Sequence, residues 1–170
     1  MKTLCFVVDG VMYLSTPSNT VVALEPETGK EIWRFTSKRA VSGRGVAYWS
    51  GDKTTSARIL FGDAGGFLNA LDAKTGKPAA GFGADGAIDA NDGTGKFRYS
   101  LANPGIIYKG VIIFGSQTGE TNPGGRGDTH AYDVRTGKLV WTFHNVPVRG
   151  EPGFRNMAQR AKRFGPIRSE

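Results

Sequence analysis

One phrase recurs three times in this chain and constrains its fold more than any other feature. It runs Ala23-Leu24-Glu25-Pro26-Glu27-Thr28-Gly29-Lys30, then Ala70-Leu71-Asp72-Ala73-Lys74-Thr75-Gly76-Lys77, then Ala131-Tyr132-Asp133-Val134-Arg135-Thr136-Gly137-Lys138. Trp33 and Trp141 stand four residues beyond the Gly of the first and third copies, and Phe35, Phe82 and Phe143 stand six beyond it in all three. The acidic residues lie 47 and then 61 positions apart. A repeat of that order marks one blade or one solenoid unit rather than one domain.

Each copy reads as a hairpin. A β-branched or aromatic run precedes it, as in Met12-Tyr13-Leu14-Ser15-Thr16, Ile59-Leu60-Phe61-Gly62 and Val111-Ile112-Ile113-Phe114-Gly115. A polar turn follows each run. Within the phrase, acid-x-x-Thr-Gly fits a type I turn closed by a left-handed residue, where Gly escapes the Cβ clash. The acid and Thr side chains can bond the turn's own backbone. Apolar residues then resume in alternation, as in Leu139-Val140-Trp141-Thr142-Phe143, so each unit is strand, turn, strand. No helical period is visible before residue 154.

The resulting fold class is all-β: three consecutive antiparallel sheets, with Trp33 and Trp141 expected between sheets. Gly makes up 25 of 170 residues, about twice the usual share, as frequent tight turns require. A radial array closes into a ring only at about four units or more, so three repeats predict an incomplete ring. Residues 155–170 share neither the period nor the composition of the repeats and are expected to pack poorly beside a β region spanning 1–154.

Charge and single residues exclude some classes. The net charge is +7, of which the stretch from Glu151 to Glu170 supplies +3. The remainder is spread out, with no basic stripe carrying interleaved aromatics, so no nucleic-acid partner is expected. Cys5 is the one cysteine; it can form no internal disulfide and reads as a buried apolar thiol. His130 and His144 sit singly in strand-like contexts and read as structural. Met1-Lys2-Thr3-Leu4-Cys5-Phe6-Val7-Val8 has a leader-like start, but Asp9-Gly10 cuts the apolar run short, so it reads as a strand entering a turn. No run approaches the ~20 apolar residues that cross a bilayer.

The phrase Ala-x-Asp-x-x-Thr-Gly-x-x-x-Trp resembles the tryptophan-docking motif of the eight-bladed propellers in quinoprotein dehydrogenases, which use pyrroloquinoline quinone (PQQ). In that family the Trp of one blade stacks on the Ala of its own motif and on the Gly peptide of the next, burying an indole between blades. The resemblance implies a partial β-propeller of about three blades, with further blades of the same propeller as partners. The second copy departs from the pattern, with Ala80 in the Trp position and the run Gly76-Lys77-Pro78-Ala79-Ala80-Gly81-Phe82-Gly83-Ala84-Asp85-Gly86 after it. That run is similar to the longer blade edge of the glucose, quinate and sugar-alcohol branch.

Three segments bear on chemistry through this resemblance. Arg44-Gly45-Val46-Ala47-Tyr48-Trp49 is similar to a family segment whose Arg contacts the quinone, and a guanidinium forks well onto the carboxylate and quinone oxygens of PQQ. A solvated loop Arg is the alternative. Gly115-Ser116-Gln117-Thr118-Gly119-Glu120 looks like the loop that lies along the cofactor and ends in a calcium ligand. Ser116, Gln117, Thr118 and Gly119 are thereby implied as cofactor-lining residues and Glu120 as a Ca²⁺ ligand, a hard oxygen donor suited to that ion. Thr121-Asn122-Pro123-Gly124-Gly125 inserts residues before Arg126, so a solvated loop Glu stays open for Glu120. Ala102, in Ser100-Leu101-Ala102-Asn103, stands where the family has a Thr bonding the quinone. Lys38-Arg39 stand where the alcohol branch has its adjacent cysteines, which again points to the sugar and cyclitol branch.

The implied activity is oxidation of a sugar, polyol or cyclitol hydroxyl in the periplasm, with PQQ and Ca²⁺ and a quinone or cytochrome as electron acceptor. No catalytic residue is assigned. Asp63, Asp85 and Asp89 sit in turns where Asp caps the backbone, and the resemblance places the catalytic Asp on later blades. The isolated chain is expected to be inactive. A non-catalytic propeller of the same repeat, acting as a protein-binding scaffold, is the alternative, because a scaffold needs the docking repeat but no quinone contacts.

Overall fold

Three hairpin phrases become three sheets. The computed structural model describes residues 4–91, 98–117 and 127–155. The first sheet comprises β1 (Cys5–Val8), β2 (Val11–Thr16), β3 (Thr20–Leu24) and β4 (Glu31–Thr36). The second comprises β5 (Ala47–Trp49), β6 (Arg58–Gly62), β7 (Phe67–Asp72) and β8 (Ala87–Asp89). The third comprises β9 (Ile106–Tyr108), β10 (Val111–Gly115), β11 (Thr129–Asp133) and β12 (Leu139–Phe143). Every sheet runs in sequence order and every pair is antiparallel.

The turn chemistry is as the phrase demands. Gly29, Gly76 and Gly137 sit at φ 71°, 69° and 75°, the left-handed region that favours Gly. One carboxyl oxygen of Asp72 accepts the Lys74 and Thr75 amides at 3.2 and 2.9 Å and the Thr75 hydroxyl at 2.9 Å. Asp133 repeats the pattern with the Arg135 and Thr136 amides at 3.0 and 2.8 Å and the Thr136 hydroxyl at 2.9 Å. Burial pushes both carboxyls up, but these bonds outweigh it and hold them below the usual carboxylate range. A register shift falls between Ala23 and Leu24 and again between Ala131 and Tyr132, so the first and third copies bulge at the same place.

Strand alternation makes the second sheet the core of the molecule. Ile59, Phe61 and Leu71 pack against Tyr13, Val21 and Trp33 of the first sheet. Leu60, Leu68 and Ala70 point the other way, onto Ile112, Phe114 and Tyr132 of the third. β6 is buried along its whole length, and in the outer sheets β3 and β11 are buried over most of theirs, whereas β1, β4, β9 and β12 carry exposed residues.

The two sheet contacts are built differently. At the first, the buried Trp33 indole donates its N–H to the Ala73 carbonyl at 2.9 Å. A Cβ on Gly76 would lie 2.5 Å from that ring. The Tyr13 hydroxyl donates to the same carbonyl at 3.2 Å. At the second, the motif position four residues beyond the Gly holds Ala80 and no Trp. Phe82, fully buried, and Ile88 cover Gly137, where a Cβ would come within 3.2 Å and 2.7 Å of them respectively. Arg58 supplies the donor: its Nη1 bonds the carbonyls of Val134 and Arg135 at 3.0 and 2.6 Å, and its Nη2 that of Ala80 at 2.8 Å. Val134 follows the motif acid as Ala73 does, so its carbonyl is the counterpart of the one that Trp33 bonds.

Two expectations are corrected here. Trp141 does not lie between sheets; it is 40% exposed, because it pairs with Ala131 on the face of the third sheet turned away from the second. Cys5 is exposed, not buried. It pairs with Leu14 on the face of the first sheet that the second does not cover. Among residues 155–170 only Arg155 is described.

Candidate cofactor wall

Arg44 lies in the loop from β4 to β5, at the end where the three sheets meet. Val41 bridges Asp63, and the Ser42 amide donates to the Gly62 carbonyl at 3.2 Å, fixing that loop on the second sheet. Ser15, buried on β2, donates its hydroxyl to the Ser42 carbonyl at 2.7 Å. The Ser42 hydroxyl in turn donates to the Ala102 carbonyl, just ahead of β9. A chain of two serines therefore ties one end of all three sheets together, and Arg44 follows two residues later.

The Arg44 side chain is exposed, and its Nη1 donates to Asn103 Oδ1 at 3.1 Å. Its backbone amide donates to the Ser42 hydroxyl at 3.3 Å. Gly45 beside it is at φ 107°, where an L side chain is strained, and a Cβ there would press on the Leu4 carbonyl oxygen at 3.0 Å. Other arginines here face carboxylates: Arg34 pairs with Glu31, Arg39 with Asp63, Arg98 with Asp89 and Arg135 with Asp52. Arg44 has no carboxylate in ion-pair reach among the described residues. Its charge is held by a neutral amide, which is the donor chemistry that an anionic, many-oxygened ligand needs.

The segment 100–103 joins Arg44 to the second region singled out in the sequence. Ser100 and Gln117 exchange backbone hydrogen bonds at 3.0 Å in each direction, three residues from Asn103. Ser116 is half-buried; its hydroxyl donates to the Asp128 carbonyl at 2.7 Å, so it braces the strand ends. Gln117 is exposed beside it. Thr118, Gly119 and Glu120 lie outside the described residues. Among the described residues no group of three or more His, Cys, Asp or Glu is placed to hold a metal.

Beneath this rim lies an aromatic stack. The Tyr99 and His130 rings are 5.5 Å apart and 9° from parallel, with Tyr132 6.2 Å from His130. Burial lowers the His130 pKa and raises those of Tyr99 and Tyr132, so all three are neutral at pH 7. The Tyr99 hydroxyl donates to the Ala90 carbonyl and His130 Nδ1 meets the Thr142 hydroxyl at 3.0 Å. His144 Nδ1 contacts Asp128 at 2.8 Å. His130 is buried on β11, and His144 follows directly on β12. Asp63 is likewise a cap, with one carboxyl oxygen accepting the Gly65 and Phe67 amides at 2.9 and 3.0 Å. Asp89 accepts the Asn91 amide at 2.9 Å.

Sequence reasoning did not find Ser15, Ser42 and Asn103. The two serines look like ordinary strand and loop residues until the sheets meet, and only the adjacency of Asn103 to Ala102 hinted at its place.

Three antiparallel four-stranded sheets, packed face to face through a docking residue set over a Gly turn, define a sector of a β-propeller. The chain belongs to the PQQ family described as "Glucose/ethanol/alcohol dehydrogenase, beta-propeller domain", which matches residues 1–166. It is 38% identical over 155 residues to a quinohemoprotein alcohol dehydrogenase of Pseudomonas putida, a match covering 85% of this chain and 20% of that protein. It is 30% identical over 160 residues to quinoprotein glucose dehydrogenase A of Acinetobacter calcoaceticus, covering 78% and 20%. The crystal structure of quinohemoprotein alcohol dehydrogenase from Comamonas testosteroni superposes with TM-score 0.69 at 30% identity, over 94% of this chain and 23% of that one. The chain thus spans about a fifth of the length of the curated relatives it matches. BamB from Moraxella catarrhalis shares the fold, at 21% identity and TM-score 0.59.

Proposed function

We propose that the chain forms three blades and one wall of the cofactor site of a periplasmic PQQ- and calcium-dependent dehydrogenase that oxidises an alcohol hydroxyl, of the sugar, polyol or cyclitol class. The observation that carries this reading is Arg44, held within Arg-Gly-Val-Ala-Tyr-Trp at the junction of three sheets with its charge unmatched by any carboxylate among the described residues. PQQ, when bound, supplies the hydride acceptor, and a quinone or cytochrome takes the electrons onward. This chain's residues bind and orient. Arg44 would hold an anionic oxygen of the cofactor, with Asn103 steadying its fork and the serine chain fixing its loop. Ser116, Gln117, Thr118 and Gly119 would line one flank, and Glu120 would contribute a calcium ligand. No residue here is assigned to proton abstraction, so the wall alone positions without turning over.

Lys38-Arg39 in place of a cysteine pair and the long edge 76–86 support the sugar and cyclitol branch. A second reading, a simple alcohol as substrate, is favoured by the higher identity to alcohol dehydrogenases than to the glucose enzyme. The scaffold alternative gains nothing from the likeness to BamB, which at 21% identity is one of fold.

Titrating the chain and Arg44→Ala with PQQ at fixed Ca²⁺ tests the wall. The variant is expected to lose a charge-assisted contact worth about 1.5–3 kcal/mol; equal affinity would reject the role of Arg44. For the substrate, kcat/KM of an enzyme carrying this sequence should be higher for polyols than for ethanol. The reverse order would establish the second reading.

A further inference from the structure

We propose that the second sheet carries a binding site for a small hydroxy acid, a carboxylate with neighbouring hydroxyls, in the cavity between the β5–β6 loop and the β7–β8 turn. The site uses no residue of the cofactor wall and stands whether or not that wall takes PQQ. It lies at the opposite end of the second sheet. The Arg44 loop is fixed at Gly62, the last residue of β6, whereas the cavity opens beside Arg58, the first. Both sheets that flank the second are in place around it.

The cavity measures about 350 Å³, the size of a small-molecule site, and its walls are fixed. Asp52 Oδ1 accepts the Thr54 and Thr55 amides at 2.9 Å each. Arg135, in the β11–β12 turn, holds Asp52 Oδ2 through Nε at 2.7 Å and Nη2 at 2.6 Å. The Ala73 amide donates to the Ala57 carbonyl at 2.9 Å and ties the loop to the turn.

Arg58 is the observation that points to a ligand. It lines the cavity and is only 4% exposed. Its Nη1 and Nη2 bond neutral carbonyls, and its Nε is buried without a hydrogen-bond partner. Register sets Asp72 opposite it, yet among the described residues no carboxylate stands in ion-pair reach of Arg58. A buried charge without a direct counter-charge is costly, and burial lowers the Arg58 pKa accordingly. Lys77 is the second cation of the lining and Asp72 its one acid. The lining is thus one positive charge in excess, which a single carboxylate neutralises.

The other lining groups suit hydroxyls. Asp72 is already saturated: Oδ1 takes three bonds from its own turn, and Oδ2 accepts the Ser56 hydroxyl at 2.8 Å. Because Ser56 and Thr75 spend their one proton on Asp72, they can meet a ligand only as acceptors. The Thr55 hydroxyl, 3.5 Å from that of Thr54, adds a group that can donate or accept. Two cations beside these oxygens match a carboxylate flanked by hydroxyls better than a bare anion, which has no proton to offer the acceptors.

Gluconate is the probe, and amide NMR spectra of the 170-residue chain at pH 7 read its binding. Gluconate should shift the amides of residues 54–58 and 72–80 and leave those of 42–46 unmoved. Glucose, which lacks the carboxylate, and acetate, which lacks the hydroxyls, should each bind at least about tenfold more weakly. Lys77→Gln removes an exposed ammonium and should weaken gluconate about fivefold. Thr55→Ala should narrow the gap between gluconate and acetate while leaving acetate unchanged, and it carries the test should Lys77→Gln disturb its turn. Absence of gluconate binding, shifts centred elsewhere, acetate bound as tightly as gluconate, or both variants matching the parent chain would each overturn the proposal.

Discussion

The contact between the first and second sheets and the contact between the second and third solve one problem with different parts. In each, a Thr-Gly turn offers a bare peptide and a carbonyl at its rim. The first contact fills both with Trp33, whose ring covers Gly76 and whose N–H reaches the Ala73 carbonyl. The second divides the work: Phe82 and Ile88 cover Gly137, and Arg58, reaching from β6, bonds the Val134 carbonyl. Gly83 adds a backbone bond to the Thr136 carbonyl at 3.1 Å. The receiving turn is thus the constant element, and the docking group can be assembled from two or three residues far apart in sequence.

Removing the single-residue solution should have the largest effect. Trp33→Ala is expected to destabilise the chain by about 3–5 kcal/mol, a transfer loss plus a cavity, measured by chemical denaturation. A loss below about 1 kcal/mol would mean that the first contact does not rest on the indole.

The divided solution should lose less from any one polar change. Arg58→Met keeps apolar volume but leaves the carbonyls of Val134, Arg135 and Ala80 without their donor, at about 1.5–3 kcal/mol. Since the two contacts lie on opposite faces of the second sheet, combining Trp33→Ala with Arg58→Met should give losses that add to within about 0.5 kcal/mol. A larger departure would show that the second sheet couples the contacts.

The smallest effect concerns the turns themselves. Asp72 and Asp133 have folded pKa values held below the ordinary carboxylate value by turn hydrogen bonds that overcome burial. Such groups stabilise the fold above the unfolded value of about 3.9 and cease to do so as pH falls through the lower folded value. Denaturation midpoints should therefore drop on acidification below about pH 4, and Asp72→Asn or Asp133→Asn should flatten that drop. An unchanged slope in both variants would remove the turns from the acid response. The effect is modest because solvent screens both groups.

Much of the architecture was legible because turn chemistry is local. The left-handed Gly, the acid and Thr bonds and the strand alternation each involve residues a few positions apart, and all three sheets follow from them. Trp141 shows the limit of that reading. Its phrase matches that of Trp33, yet whether an indole is buried depends on the sheet that faces it, which no repeat encodes. Cys5 failed for the same reason, as strand parity gives the face but not its cover. At the site, Arg44 and the Ser116-Gln117 pair stood out by resemblance to a motif. The serine chain that brings them to one rim joins residues 27 and 60 positions apart and left no pattern to read.

The sequence by itself determined the repeat, the hairpins, the all-β class and the segment containing Arg44, since periodicity and turn geometry are written in neighbouring residues. Tertiary structure alone decided which glycine receives which side chain, that Arg58 takes over the donor role of the absent Trp, and which faces stay open. Those outcomes depend on packing across sheets, where the acceptor is a backbone carbonyl that every residue possesses and no side chain announces.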